Sequence, residues 1–291
     1  MTKMNAWILA ARPKTLVAAF VPVAVGTCLA VDAEAFKPIP ALLCLWFAFL
    51  IQIGTNFAND YFDFKKGADT DKRIGPKRAV ASGLISPRAM LKGTICALVL
   101  AFVVGLRLLP YGGVSLLVVG LLSLLLAIAY TGGPFPLAYL GLGDIFVILF
   151  FGIVAVVCTQ YVQTGVVSRD SLLSGLSIGL VINNLLVVNN YRDIEEDRLS
   201  KKKTLAVRFG RRFSSIQYFL QSLVAASCLY YLHPDRISFI AGLLFVIFCL
   251  YILRRMTTAT TPIEYHKCLQ HTSLSVLIIG ILFSLKFLRV V

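Results

Sequence analysis

The chain alternates long apolar runs with short polar connections, and the runs are the right length to be helices in a lipid bilayer. A hydrocarbon core of about 30 Å needs roughly 20 helical residues to cross it. Nine runs meet or approach that length, near 16–31, 38–57, 90–109, 114–130, 145–162, 172–188, 216–232, 237–253 and 273–287. The first, fourth and sixth are near the short end. The expected architecture is all-α, a polytopic bundle of nine transmembrane helices forming one domain over residues 1–291.

The basic residues test this count. With the N-terminus on the cytoplasmic side, the opposite face holds Lys37, Arg107, Arg169, Arg236, Lys286 and Arg289, six of the 28 lysines and arginines. The other 22 fall on the cytoplasmic side, as the positive-inside rule requires. Adding or removing one helix would mix the two sets. The C-terminus is then expected outside. The longer connections also lie on the cytoplasmic face, so function is expected there.

Composition agrees. Some 58% of residues are hydrophobic and only 14% charged, against roughly 25% charged in soluble domains. The net charge of +14 therefore reports orientation and anionic partners, such as headgroups or phosphorylated substrates. Nucleic acid is not an expected partner. The seven cysteines are widely spaced within apolar runs and read as small hydrophobes rather than a disulfide framework. The first apolar run reads as a membrane anchor, not a cleaved signal. His233, His266 and His271 show no metal-ligand spacing, and there is no Walker A or dinucleotide fingerprint.

The candidate chemistry lies where two of the runs leave the membrane. The second ends in Asn56-x-x-Asn59-Asp60-Tyr61-Phe62-Asp63, the sixth in Asn189-Asn190-Tyr191-Arg192-Asp193-Ile194-Glu195-Glu196-Asp197. Asn59 and Asp63 are four apart, as are Asp193 and Asp197, so each pair shares a helical face. The two segments form a loose internal repeat, each followed by a basic loop. Together they offer hard oxygen ligands of the kind that bind Mg²⁺. Carboxylates at membrane helices are costly and point to function; the competing reading is solvated charge at an interface.

The basic loops carry Lys65, Lys66, Lys72, Arg73, Lys77 and Arg78, then Lys201, Lys202, Lys203, Arg208, Arg211 and Arg212. Orientation explains most of them, but cations beside a carboxylate–Mg²⁺ cluster suit a diphosphate. Arg192, between acidic residues, and Arg12, in Arg-Pro-Lys-Thr, have the best individual case. The connection Tyr130–Asp144 has no basic residue, breaks helix with Gly and Pro, and is too apolar for a solvated loop. It is expected to fold over the site or lie in the interface. Asp144 is equally placed to be an N-cap. A metal–diphosphate site facing the membrane suggests a lipid diphosphate, with electrostatic help to C–O cleavage and an apolar cavity that shields the allylic cation.

These residues resemble the two aspartate-rich motifs of the UbiA superfamily of intramembrane aromatic prenyltransferases. The segments Gln52–Asp63, Lys66-Gly67-Ala68-Asp69, Tyr130–Leu137, Asn190–Asp197 and Lys203–Arg208 are similar to its MenA-type branch, which joins a polyprenyl diphosphate to 1,4-dihydroxy-2-naphthoate with loss of CO₂. The resemblance implies Mg²⁺ as cofactor, held by Asn59, Asp63, Asp193 and Asp197, with Asp60 also catalytic and Asn56, Asp69 and Asn190 in support. It implies diphosphate contacts from Arg12, Lys65, Arg78, Arg192 and Lys203, and Tyr130, Phe135 and Asp144 on the acceptor side. The first motif departs from the usual pattern, since Asp69 follows Asp63 by six residues rather than four. The implied location is a bacterial inner membrane. Acceptors such as 1,4-dihydroxy-6-naphthoate or 4-hydroxybenzoate stay open within the superfamily. An ion-coupled transporter, which should carry its acids near the midplane, and a CDP-alcohol phosphotransferase, whose Asp-Gly-x-x-Ala-Arg core is absent, are the readings from other classes.

Overall fold

The structure is a computed structural model that describes residues 2–68, 75 and 78–290, all its regular elements being helical. A short helix α1 (Lys3–Ala11) turns through Pro13–Thr15 into α2 (Val17–Asp32) with a bend of 49°. Arg12, at φ 52°, makes the corner. Then come α3 (Pro38–Lys65), α4 (Pro87–Leu106), a short α5 (Leu109–Gly112) and α6 (Ser115–Ala129). The Gly/Pro connection carries α7 (Leu137–Leu140), and α8 (Gly143–Val147) runs through a π-helical stretch, Ile148–Val154, into α9 (Ala155–Thr164). The second half is α10 (Arg169–Arg192), α11 (Ile194–Leu199), α12 (Leu205–Leu232), α13 (Arg236–Thr258) and α14 (Pro262–Phe287).

Six helical stretches among the described residues are long and apolar enough to cross a membrane, seven if the bent α1–α2 pair is one span. Nine is therefore not established by length and composition. The two remaining candidates fall short for different reasons. Helix α6 has only 15 residues. Helix α12 spans 28 residues but is kinked at the non-helical Gly210 (φ 82°), and it carries Ser214, Gln217, Gln221 and Ser222, which lower its hydropathy. These polar groups serve the interior: Gln217 bonds Asp144, and Ser222 accepts from Asn184 at 3.0 Å. The helices also outrun the apolar stretches on the expected cytoplasmic side. Helix α3 continues to Lys65, so its whole acidic segment is helical.

The bundle is organised around α10. Its Ile178, Val181, Ile182 and Val188 are almost fully buried against Val21 and Val25 of α2, Ala225 and Leu229 of α12, and Ile279 and Phe283 of α14. The outer faces are apolar instead, with Val99, Val118, Leu125, Leu244 and Ile247 exposed. Lipid solvates such faces, so close backbone approach must supply the cohesion between helices. Gly175-x-x-x-Gly179 on α10 meets Gly152 of the π-helical stretch so closely that a Cβ on Gly152 would lie 2.4 Å from the Gly175 carbonyl oxygen. This contact sets the register between the helix carrying Asp193 and the one that begins beside Asp144.

Candidate active site

The end of α3 and the α10–α11 junction meet at one end of the bundle. On α3, spacings of three and four place Asn56, Asn59, Asp60 and Asp63 on one face. Asn56 is committed to structure, its Nδ2 donating to the Ala11 carbonyl at 2.9 Å and to Thr15 Oγ1 at 3.1 Å. Asp60 is 1% exposed and accepts from the backbone N–H groups of Ala79 and Val80 at 3.0 and 3.1 Å. Both its oxygens hold the chain that follows Arg78 against α3. Arg12 interacts electrostatically with Asp60 and stands on the α1–α2 corner.

Asp63 faces the other segment. Its Oδ2 lies 3.2 Å from Arg78 Nη2, its Oδ1 accepts from the Tyr139 hydroxyl at 3.0 Å, and Lys202 Nζ is 3.8 Å from the same Oδ1. The Lys202 ammonium is also 3.5 Å from Asp197 Oδ1, so one cation bridges the two acidic segments. Asn59 Oδ1 accepts from Thr131 Oγ1 at 2.8 Å, and Lys66 Nζ donates to the Thr131 carbonyl at 2.6 Å. Asp193 caps the junction between α10 and α11 and is held by Arg192 through a forked ion pair, Nη2 to Oδ2 at 2.6 Å. Asn190 is half-buried one turn earlier.

Burial pushes the Asp197 carboxyl up to about 6; Lys202 opposes the shift, and Asp193 and Asp63 add to it. Lys66 is lowered, first by burial; Asp63 pulls it back and Lys202 adds to the lowering.

The Tyr130–Asp144 connection folds over this cluster, as expected from its composition. The Tyr139 carbonyl accepts from the Lys203 N–H at 2.9 Å, and the Leu140 carbonyl accepts from Arg208 at 2.8 Å. The Tyr139 ring lies under both Lys66 and Lys202, at 4.2 and 5.1 Å. Gly141 has φ +75°, and a Cβ there would lie 2.3 Å from the Lys203 carbonyl oxygen. The loop is thus clasped to the connection after Asp197.

Several expected residues lie elsewhere. Phe135 is 74% exposed. Lys65 is exposed beside Tyr61, and the Lys203 side chain is exposed while its neighbour Lys202 enters the site. Asp144 does not cap α8. It is buried, accepting from Asn183 Nδ2 at 3.0 Å and Gln217 Nε2 at 2.6 Å. Asp69 lies outside the described residues. Lys202, Tyr139, Thr131 and Lys66 were not among the expected site residues; Tyr139 and Thr131 belong to a loop whose composition had marked it.

Below the cluster is an apolar cavity of about 160 Å³. Tyr130 and Leu137 line it near the site, and Leu108, Leu116 and Val162 at the far end. On α3 its wall runs from Thr55 to Cys44, a helical length of roughly 16 Å.

The candidate donors suit Mg²⁺ by their chemistry. Asn59, Asp63, Asp193 and Asp197 offer only oxygen, with no sulfur or imidazole to favour a softer metal. Lys202 already places positive charge between two of the carboxylates. Among the described residues no three His, Cys, Asp or Glu side chains converge on one point; Asp63 and Asp197 face Lys202, and Asp193 faces Arg192.

Residues 19–283 match the UbiA prenyltransferase family. The chain is 36% identical to the 1,4-dihydroxy-2-naphthoate octaprenyltransferase of Escherichia coli (strain K12), over 98% of this chain and 96% of that protein. It is 40% identical to the enzyme of the same name from Mycobacterium tuberculosis (strain ATCC 25618 / H37Rv), over 78% and 77% of the two chains. A UbiA homologue from Aeropyrum pernix K1 superposes with a TM-score of 0.71 at 14% identity, over 92% of this chain and 96% of that one. A homologue from Archaeoglobus fulgidus, solved with DMAPP and Mg²⁺, gives 0.66 at 16%, over 98% and 99%. The acids of the two motifs gather at one end of the bundle, and the transporter reading finds no support. The chain is a member of the UbiA prenyltransferase family.

Proposed function

We propose that this protein transfers a polyprenyl group from a polyprenyl diphosphate to 1,4-dihydroxy-2-naphthoate, the acceptor in its relatives' name, with loss of CO₂. The observation that carries the reading is the placement of two acidic segments and their cations directly over an apolar cavity. That arrangement suits a substrate with a diphosphate head and a hydrocarbon tail. Asn59, Asp63, Asp193 and Asp197 would hold Mg²⁺, which when bound neutralises charge on the departing diphosphate. Arg78, Lys202, Lys66 and Arg192 stand where they can take up further negative charge as the C–O bond breaks and its electron pair leaves with the diphosphate. The clasped Tyr139 loop keeps water from the allylic carbon, and Tyr130 stands between the cluster and the cavity. Asp60 and Asn56 act as positioning residues, holding the Arg78 segment and the Arg12 corner in place.

The bundle works as one domain with nine spans, the seven apolar ones together with α6 and α12. It sits in a bacterial inner membrane with its N-terminus and active site on the cytoplasmic face. The distribution of basic residues supports this orientation.

The test is product formation in washed membranes expressing the chain. They receive a polyprenyl diphosphate and, separately, 1,4-dihydroxy-2-naphthoate, 1,4-dihydroxy-6-naphthoate or 4-hydroxybenzoate, with and without Mg²⁺. Mg²⁺-dependent prenylation of the 2-naphthoate is expected. Product from only one of the other acceptors would keep the chemistry and change the pathway. No product from folded protein would overturn the reading.

A further inference from the structure

The acidic segments do not face each other as bare carboxylates. The Asp63 side chain is 3% exposed and that of Asp197 11%, and the Lys202 ammonium lies at ion-pair distance from both. Two buried carboxylates repel unless a cation lies between them. Lys202 supplies that cation, and any divalent ion that engages both carboxylates contests the same space.

Lys202 is also built to leave. Its backbone is fixed, the N–H donating to the Asp197 carbonyl at 2.8 Å, next to Lys201 at φ 58°. The stem is a flexible four-carbon chain ending in a compact point charge. Its separations of 3.5 and 3.8 Å are longer than charge-assisted hydrogen bonds, so each contact is loose. The Asp193–Arg192 pair is different: a short, planar fork within one segment. A cation leaving two buried carboxylates needs an anion to receive it, and a diphosphate is such an anion.

We infer that Lys202 is a swing counter-ion that couples metal binding to diphosphate binding. It occupies the metal's place in the resting protein and moves to the diphosphate on loading, so that neither partner binds tightly alone. This inference rests on the metal–diphosphate reading above. Coupling between two ligands is reciprocal and typically worth 5- to 150-fold in affinity.

The experiment uses Mn²⁺ as the paramagnetic probe and inorganic pyrophosphate as the anion, with the full chain in detergent. Electron paramagnetic resonance gives Mn²⁺ affinity with and without pyrophosphate for wild type, Lys202→Met and Lys202→Arg. Wild type is expected to bind Mn²⁺ weakly alone and roughly tenfold or more tightly with pyrophosphate. Lys202→Met is expected to bind Mn²⁺ alone at least about fivefold more tightly than wild type and to lose most of the enhancement. Lys202→Arg should keep it. Unchanged Mn²⁺ affinity in Lys202→Met without pyrophosphate, or an undiminished enhancement, would overturn the role of Lys202 while leaving the site intact. If Lys202→Met does not elute as a folded monodisperse species, Lys202→Gln replaces it under the same criteria. Wild type that binds no Mn²⁺ even with pyrophosphate would overturn the metal–diphosphate reading itself, and the inference with it. An Asp63→Ala control that binds like wild type would do the same.

Discussion

Asp60 and Asp63 are one turn apart in the same motif, yet the structure gives them different work, and replacing each with asparagine separates the two roles. Asp60 accepts two backbone N–H groups, from Ala79 and Val80, inside the protein. Asparagine keeps one acceptor oxygen but turns an NH₂ donor toward the other N–H. One hydrogen bond to a charged group is then lost, at about 1.5–3 kcal/mol. The segment after Arg78 should open more often by the corresponding factor, about 10- to 150-fold at 1.36 kcal/mol per decade. Hydrogen exchange measured by mass spectrometry on peptides covering 78–86 reads this directly. Prenyl transfer should fall mainly through a higher KM for the diphosphate, because Arg78 is no longer held beside Asp63. Asp63→Asn should leave exchange in 78–86 within about threefold of wild type, since it removes one side-chain pair with Arg78 and no backbone bond, while transfer is lost. Wild-type exchange in Asp60→Asn together with lost Mn²⁺ binding would refute the assignment and make Asp60 a metal ligand.

Three further outcomes follow from the same geometry. Asp63→Ala or Asp193→Ala should abolish transfer while the protein still reaches the membrane, checked by immunoblot and assay of the same preparation. Gly141→Ala should cut activity more than tenfold, because a left-handed backbone costs about 1–2 kcal/mol with a side chain and the new Cβ meets the Lys203 carbonyl oxygen at 2.3 Å; the check is steady-state kinetics beside a thermal melt. Asp197 has a folded-state pKa of about 6, above the usual carboxylate value, so it favours the metal-free fold below about pH 4. That contribution is lost as pH rises through 6. The melting temperature of EDTA-treated protein should therefore fall between about pH 4 and 6 and level off above, and Asp197→Asn should flatten the fall.

Hydrophobic runs and the two acidic motifs were readable because they depend on local rules. A bilayer requires long apolar helices, and a four-residue spacing places side chains on one face. The excess of Gly, Pro and aromatics in Tyr130–Asp144 likewise announced a loop that leaves solvent. What stayed hidden depends on which helices pack together. Lys202 and Lys203 are equivalent by sequence, and only the turn after Asp197 sends the first inward. Asp60 and Asp63 look alike as motif members, and only the path of the chain after Arg78 assigns one to backbone and the other to the site. The polar side chains of α12 weaken its signal as a span, yet they satisfy Asn184 and Asp144 across an interface that no local pattern reveals. The sequence alone thus determined the helical membrane class and the two acidic motifs, because periodicity and desolvation act residue by residue. Tertiary structure decided which cation faces which carboxylate and where the apolar cavity lies, because both depend on contacts between segments distant in the chain.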